Sequence, residues 1–368
     1  MLSLSATIRR PPRWRRAFTV LALESSADDT CAAVVDSFRN ILSNVVIKQH
    51  DLHETFGGIH PTVAIEAHQR NMPRAIRTAL SDARLSVNDV DGIAYTRGPG
   101  IGGCLSVGSN AAKNIAAALN KPMVGVHHMQ AHALTPLLTS PPSDSPEFPY
   151  LTILVSGGHT LLLLATSLTK FRILATTADE SIGRAFDKVG RILEMQWGTH
   201  GPAASLEHFA SLALPEEIAK APTFPRPFWK KPAFSYASLH STVERHVHSL
   251  GGVNNLDVSA RRGLAHAFQK SAVDQLEDKL SQALLWCANR SVDVRGVVVS
   301  GGVASNQYLR SRLDIFCSGQ SLRTFFPPVL LCTDNAAMIA WASMHRFLGQ
   351  DHDSYEIELR PKWSIEDI

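Results

Sequence analysis

From residue 18 the chain alternates short apolar runs with polar turns: "FTVLALESS", a turn at "ADDT", then "CAAVVD" and "ILSNVVI". Apolar runs of five or six residues bounded in this way predict a hairpin extended into a three-stranded meander. A helical stretch over 62–85 follows. Next come a strand at "GIAYT", a glycine-rich turn "RGPGIGG", a helix over 105–119 and a strand at "PMVGV". After "TSPPSDSPEFP" (139–149), a linker rich in Pro and Ser, the opening pattern returns as "YLTILVSGGHT", "LLLLA" and "FRILATT". Thr177 and Glu180, spaced as a capping box, open the next helix, which runs through "SIGRAFDKVGRILEM". Residues 197–258, rich in Pro, His and aromatics, read as an irregular insertion. Order resumes with a helix over 259–290, the strand "GVVVS", the turn "GGVASN", a helix and the closing run "CTDNAAMIAWASMHRFL".

Two halves that begin alike predict two related α/β domains facing each other across a ligand cleft. The expected division is 18–138, with 335–350 packing back on it, and 150–334, with 351–368 as a tail. A chain of 368 residues suits two such cores.

Composition changes this picture in two places. The longest apolar stretch, "LTILVSGGHTLLLLA" (151–165), is broken by Ser156, Gly157, Gly158 and His159, so no membrane span is predicted. The first twenty residues, "MLSLSATIRRPPRWRRAFTV", carry five arginines and no acid, the composition of a mitochondrial transit peptide over 1–17, or of a disordered basic tail. Net charge is +3, which neither requires nor excludes a nucleic-acid partner. The five cysteines (31, 104, 287, 317 and 332) form no C-x-x-C pair, so reduced thiols are expected and a zinc ribbon is not.

Candidate chemistry starts at "GVHHMQAHAL" (125–134). On a helix His128 and His132 lie four apart on one face, a spacing that lets two imidazoles grip one metal ion. Met129 stands where H-E-x-x-H peptidases carry their glutamate base. Asp334 in "CTDN" is the best candidate for a third ligand. His127, about 100° round from His128, reads as structural or supporting. Three glycine turns, "RGPGIGG" (97–103), "SGGHT" (156–160) and "SGGVASN" (300–306), each follow a strand, where backbone N–H groups can approach a phosphate or simply make a tight turn. Glu24, Asp28 and Asp29 in "ESSADDT" could accept ribose hydroxyls or hold a hydrated cation, or else cap turns. Asp187, in mid-helix, has no capping role. "FPRPFWKKPAFSY" (224–236) interleaves Arg226, Lys230 and Lys231 with Phe224, Phe228, Trp229 and Tyr236, which suits nucleic-acid stacking or an exposed loop pinned by its aromatics.

Taken together and in order, "VHHMQAH", "LVSGGHT", "AFDK", "SGGVASN" and "CTDNAAMIAW" resemble the TsaD family, its mitochondrial branch most closely, from about residue 19 to 348. The resemblance implies the two-domain ribonuclease H-like fold of actin, the heat-shock chaperone ATPases and the sugar kinases. It implies transfer of a threonylcarbamoyl group from threonylcarbamoyl-adenylate to N6 of the adenosine just 3′ of the anticodon, in mitochondrial tRNAs that read codons beginning with A. It further implies that His128, His132 and Asp334 bind iron or zinc. Leu154, Val155, Ser156, Gly157, Gly158, Asp187, Gly201, Ser305, Asn306 and Thr333 would hold the adenylate, with Glu24, Asp28 and Glu207 as further candidates. Arg226, Lys230 and Lys231 would meet the tRNA. The expected setting is the mitochondrial matrix and the expected assembly a homodimer. No general base is assigned. Three positions depart from the family pattern: Ala27 replaces Cys, Asp29 replaces Glu, and His240 stands in place of Lys. A metallopeptidase, or an ATP-driven kinase or chaperone-like protein, remain the alternatives at this point.

Overall fold

In the computed structural model, residues 16–56, 58–195 and 201–368 are described. Residues 1–15, most of the expected transit segment, lie outside them.

Strands β1 (Thr19–Glu24), β2 (Thr30–Asp36) and β3 (Ile41–Ile47) form the predicted antiparallel meander. A short helix α1 (His50–His53) and the helix α2 (Pro61–Asp82) lead to β4 (Gly92–Gly98), parallel to β1. Helix α3 (Gly102–Ala118) then leads to β5 (Met123–His127), parallel to β4, and α4 (His128–Thr139) begins directly at its end. The sheet order is β3-β2-β1-β4-β5.

The second sheet repeats this plan. β6 (Tyr150–Val155), β7 (Thr160–Ala165) and β8 (Phe171–Thr177) form a meander followed by α5 (Ile182–Ile192), α6 (Gly201–Ser211) and α7 (Pro215–Lys220). After β9 (Ala233–Phe234), α8 (Ala237–Ser249) and α9 (Val258–Ala288) comes β10 (Val297–Ser300), parallel to β6. Then follow α10 (Gln307–Gly319), β11 (Thr324–Phe325) and α11 (Ala336–Leu348). The order is β11-β10-β6-β7-β8-β9, so β6 and β10 stand where β1 and β4 stand in the first sheet.

Helices cover both faces of the first sheet. α2 and α3 pack on one face, while α11, although it follows the second sheet in sequence, packs on β1 and β2 from the other. This is why β1 and β2 are buried throughout, as continuous apolar strands of a covered sheet are. One core joins Val20 and Ala22 of β1 to Leu154 and Val298 of the second sheet through α4 and α11. Every residue of α4 from His128 to Leu138 is buried. A helix buried all round has no solvent to satisfy its polar side chains, so its histidines must find partners inside the protein.

Three expectations need correction. The helix after β8 is capped by Ser181, whose hydroxyl accepts the Arg184 N–H, and not by a Thr177–Glu180 box. Thr177 is the last residue of β8, and its hydroxyl donates to the Glu180 carbonyl at 2.6 Å. The described part of 197–258 is mostly helical. In α8 the buried residues Leu239, Val243 and Val247 recur every four positions, a periodicity masked in sequence by the flanking Pro and aromatic residues. Finally, 351–368 is not a free tail. Asp353 accepts the Gly125 N–H at 2.7 Å, the Arg360 N–H donates to the Arg97 carbonyl, and the Gly100 N–H donates to the Pro361 carbonyl. Glu366 accepts the Ile173 N–H of β8 at 2.9 Å, so this strap touches both sheets.

Candidate functional site

α4 enters from β5 with His127 as its N-cap. The His127 Nδ1 accepts the N–H groups of Met129 and Gln130, so the proton sits on Nε2, which donates to the Trp363 carbonyl at 3.1 Å. Burial pushes this imidazole down to about 3, keeping it neutral. His127 is therefore structural, as its offset from His128 suggests.

His128 and His132 lie on one face of α4 with ring centroids 4.7 Å apart. Asp334 reaches them from the turn before α11, where Asn335 caps the helix by accepting the Met338 N–H. Its Oδ1 is 3.4 Å from His128 Nε2 and 3.1 Å from His132 Nε2. One ligand atom from each of the three residues falls within 4.8 Å of the others, so the set could hold a single metal ion. Behind it, Glu24 at the end of β1 is fully buried and places Oε2 3.0 Å from His128 Nδ1. The Ser26 N–H and the Thr96 hydroxyl donate to the same carboxylate. Glu24 thus occupies one nitrogen of His128 and leaves Nε2 facing Asp334, the arrangement in which a carboxylate orients a metal-binding imidazole. This corrects the reading of Glu24 as a ribose or hydrated-cation ligand, because a wholly buried carboxylate with three donors has no surface left for either.

The electrostatics follow from that packing. Burial lowers the His128 imidazole, but the carboxylates of Asp334 and Glu24 outweigh it and hold the group well above its ordinary value. Burial likewise raises Asp334, and the two imidazoles overcome it, leaving the carboxylate well below its usual range. Among these groups alone His128 is thus held protonated between the two carboxylates, while burial lowers His132; a cation bound in place of that proton would leave two imidazoles and the half-buried Asp334 as its ligands. Asp28 and Asp29 lie nearby with carboxyls raised, first by burial and then by neighbouring acids; Asp29 Oδ1 is buried without a hydrogen-bond partner.

The second sheet supplies the opposite wall. Leu154 and Val155 are core residues of β6, so their side chains cannot touch a ligand. Ser156 accepts the Gly158 and His159 N–H groups, closing the turn. Gly157 and Gly158 are exposed, and a Cβ on either would meet nothing within 4 Å. The second S-G-G turn is brought alongside by the pairing of Ser300 with Leu154. At Gly301, φ is +99° and a Cβ would lie 2.3 Å from the Val155 carbonyl oxygen, so only glycine fits. Thr333 packs at Gly302, and Ser305 donates to the Gly302 carbonyl. Asn306 is spent inside the fold: its carbonyl oxygen caps α10 at Leu309 and its amide donates to Gln269. Glu207 accepts the Gln307 N–H at the start of the same helix. Asp187 sits within α5, where burial pushes its carboxyl up to about 6 against the opposing effects of Arg191 and the Ala203 N–H. Gly201 opens α6 with φ +81° and open space around it.

The "RGPGIGG" turn is not part of this wall. A Cβ at Gly98 would lie 1.9 Å from the Arg360 carbonyl oxygen and one at Gly100 2.7 Å from the Ser26 carbonyl oxygen, so its glycines admit the strap and the 24–30 turn. His240 pairs with Glu180, which also binds Lys188 at 2.5 Å. Arg226, Lys230 and Lys231 are exposed on the outer surface. Sequence reasoning passed over His159 and Trp363, which with His127, Met129 and Ile365 line a cavity of about 460 Å³ beside the centre. His159 was within reach, since it is part of the quoted "SGGHT"; Trp363 lies in the segment taken for a tail.

Two repeated sheets of this order, with an imidazole–carboxylate centre at the strand ends of one and an open glycine turn at those of the other, make an actin-like fold. Solved structures share that fold. The activator of 2-hydroxyisocaproyl-CoA dehydratase from Clostridium difficile with bound ADPNP superposes with a TM-score of 0.51 at 13% identity, over 92% of this chain and 99% of that one. HypF from T. kodakarensis gives 0.57 at 14%, over 90% of this chain and 48% of that one. A sequence model of the tRNA N6-adenosine threonylcarbamoyltransferase family, TsaD, matches residues 40–341, and the chain belongs to that family. Relatives include the probable mitochondrial tRNA N6-adenosine threonylcarbamoyltransferase of Arabidopsis thaliana, 37% identical over 96% of this chain and 76% of that protein. The tRNA N6-adenosine threonylcarbamoyltransferase of Cereibacter sphaeroides is 40% identical over 95% of this chain and 94% of that protein.

Proposed function

We propose that this chain transfers the threonylcarbamoyl group of threonylcarbamoyl-adenylate to N6 of the adenosine 3′ of the anticodon in mitochondrial tRNA, forming N6-threonylcarbamoyladenosine. The observation that carries the reading is the convergence of His128, His132 and Asp334 into one ligand set, with His159 of the open glycine turn near enough to feel their charges. The donor set fits iron or zinc; either, when bound, would supply Lewis acidity toward the carbamoyl oxygen. Glu24 fixes the tautomer and rotation of His128. The exposed glycine turn and the neighbouring S-G-G turn leave room for the adenylate phosphate, whose charge grows as AMP departs. Asp187 lies near enough to Asp28 for their charges to interact and would accept ribose hydroxyls when ionised. Adenine N6 is a weak nucleophile, so positioning and charge stabilisation carry most of the rate.

A peptidase is disfavoured because Met129 follows His128 and Glu24, the glutamate that meets this imidazole, is fully buried and hydrogen-bonded to it. No described helix is long and apolar enough to cross a membrane. The basic leader and the Arabidopsis relative support import into the mitochondrial matrix, and the exposed Leu52, Phe56 and Ile59 support self-association as a homodimer. The test is to incubate metal-loaded protein with threonylcarbamoyl-adenylate and unmodified tRNA and to analyse the nucleosides by mass spectrometry. The modified nucleoside is expected; its absence would overturn the reading.

A further inference from the structure

Residues 227–230 form a turn on the outer surface of the second domain, and buried charge in α9 holds it from beneath. Lys279 is 1% exposed and Asp278 8%. Lys279 Nζ donates to Asp278 Oδ2 at 2.5 Å and to the Phe228 carbonyl at 2.6 Å. The same Oδ2 accepts the Lys230 N–H at 3.2 Å and Gln282 Nε2 at 2.9 Å. Desolvating an ion pair is costly, and apolar residues of similar volume often stabilise a core as well or better. Here each member of the pair also reaches out of the helix to the backbone of one turn, at Phe228 and at Lys230. That turn is strained, since Phe228 and Lys230 have φ of +48° and +59°, a region that disfavours residues with a Cβ.

The strained turn displays a specific surface. Phe228 is 40% exposed and Trp229 44%, the Arg226 guanidinium lies 4.7 Å over the Trp229 ring, and Lys230 and Lys231 point outward with them. No acidic residue occurs between Ile218 and Val243, and the Asp278 carboxylate beneath the turn is paired with Lys279. We infer that this turn is a preformed platform on which unpaired bases of the tRNA stack, and that Asp278 and Lys279 are the positioning residues that hold its shape. The inference rests on the tRNA reading above. Aromatic rings accept any base face, cations neutralise the adjoining phosphates, and a turn fixed in advance loses little entropy on binding.

The experiment measures binding of an unmodified tRNA transcript to the full chain by fluorescence anisotropy without donor, together with steady-state transfer at saturating donor. Trp229→Ala and Phe228→Gly are expected to weaken tRNA binding and raise its KM by about tenfold each, with kcat and metal content unchanged. Phe228→Gly relieves the left-handed strain, so its melting temperature will hold and its loss of binding cannot be put down to unfolding. Lys279→Met is expected to raise KM to a similar extent and to add little when combined with Phe228→Gly, because both act through one turn. Wild-type tRNA binding in Trp229→Ala and Phe228→Gly would overturn the platform, as would a fall in kcat with KM unchanged. Weakened binding in these variants when the wild type transfers nothing would support the platform and overturn only the reaction.

Discussion

Two turns occupy equivalent places in the two sheets and have opposite chemistry. The turn from β1 to β2 carries Glu24, Ser25, Ser26, Asp28 and Asp29, closed in by Gly100 and almost wholly buried. The turn from β6 to β7 carries Ser156, Gly157, Gly158 and His159, with its glycines open to solvent. Repetition of one α/β plan places the two turns at matching strand ends, and residue content then gives one a set of carboxylates that call for a cation and the other an uncharged glycine turn with open space around it. A shared scaffold sets direction; side chains set charge.

The comparison can be broken hardest at the acidic wall. Asp334→Ala leaves the two imidazoles without their shared carboxylate, and bound metal and transfer activity should both fall by more than about 100-fold; full activity in a metal-depleted variant would remove Asp334 from the site. Glu24→Gln keeps the shape but weakens the acceptor at His128 Nδ1, so metal affinity by competition titration should drop by about 10-fold to 100-fold. The glycine wall separates by position. Gly301→Ala forces a Cβ against the Val155 carbonyl at a positive φ and should cost roughly 2 kcal/mol or more in urea denaturation. Gly157→Val meets open space, so stability should hold while donor affinity falls by about tenfold, or about 1.4 kcal/mol.

Asp187 supplies the pH-dependent test. Its folded carboxyl keeps a proton up to about 6, against an ordinary value of 3.8. Between those values the folded chain binds more protons than the unfolded one, so stability should fall as pH rises through the window, by up to about 2 kcal/mol for this partly exposed group. Asp187→Asn should flatten that slope in urea titrations from pH 4 to 7. It should also remove an inflection near 6 in donor affinity, which in the parent strengthens as pH rises.

The repeat, its strands and the candidate His–His–Asp set were legible because they rest on local rules: apolar runs between turns, an i,i+4 histidine pair, an Asp before a capped helix. The capping of α5 by Ser181 was not, since Thr177 fits the same pattern until β8 is seen to claim it. Nor were the helices in 197–258, whose apolar spacing is short and interrupted. Equal glycines could not be told apart: Gly157 is open, Gly301 is jammed against Val155, and Gly98 admits the strap.

By itself, then, the sequence determined the two-domain plan and marked His128, His132 and Asp334 as candidates, because periodicity and spacing act within a few residues or one element, while the class of chemistry came from the resemblance of its ordered motifs to one family. Only the tertiary structure decided that Glu24 orients His128, that Asn306 and Glu207 serve a helix end, and that residues 351–368 bind back across both sheets. Those outcomes depend on which groups are left without water or partner once distant segments pack, and no local pattern encodes that.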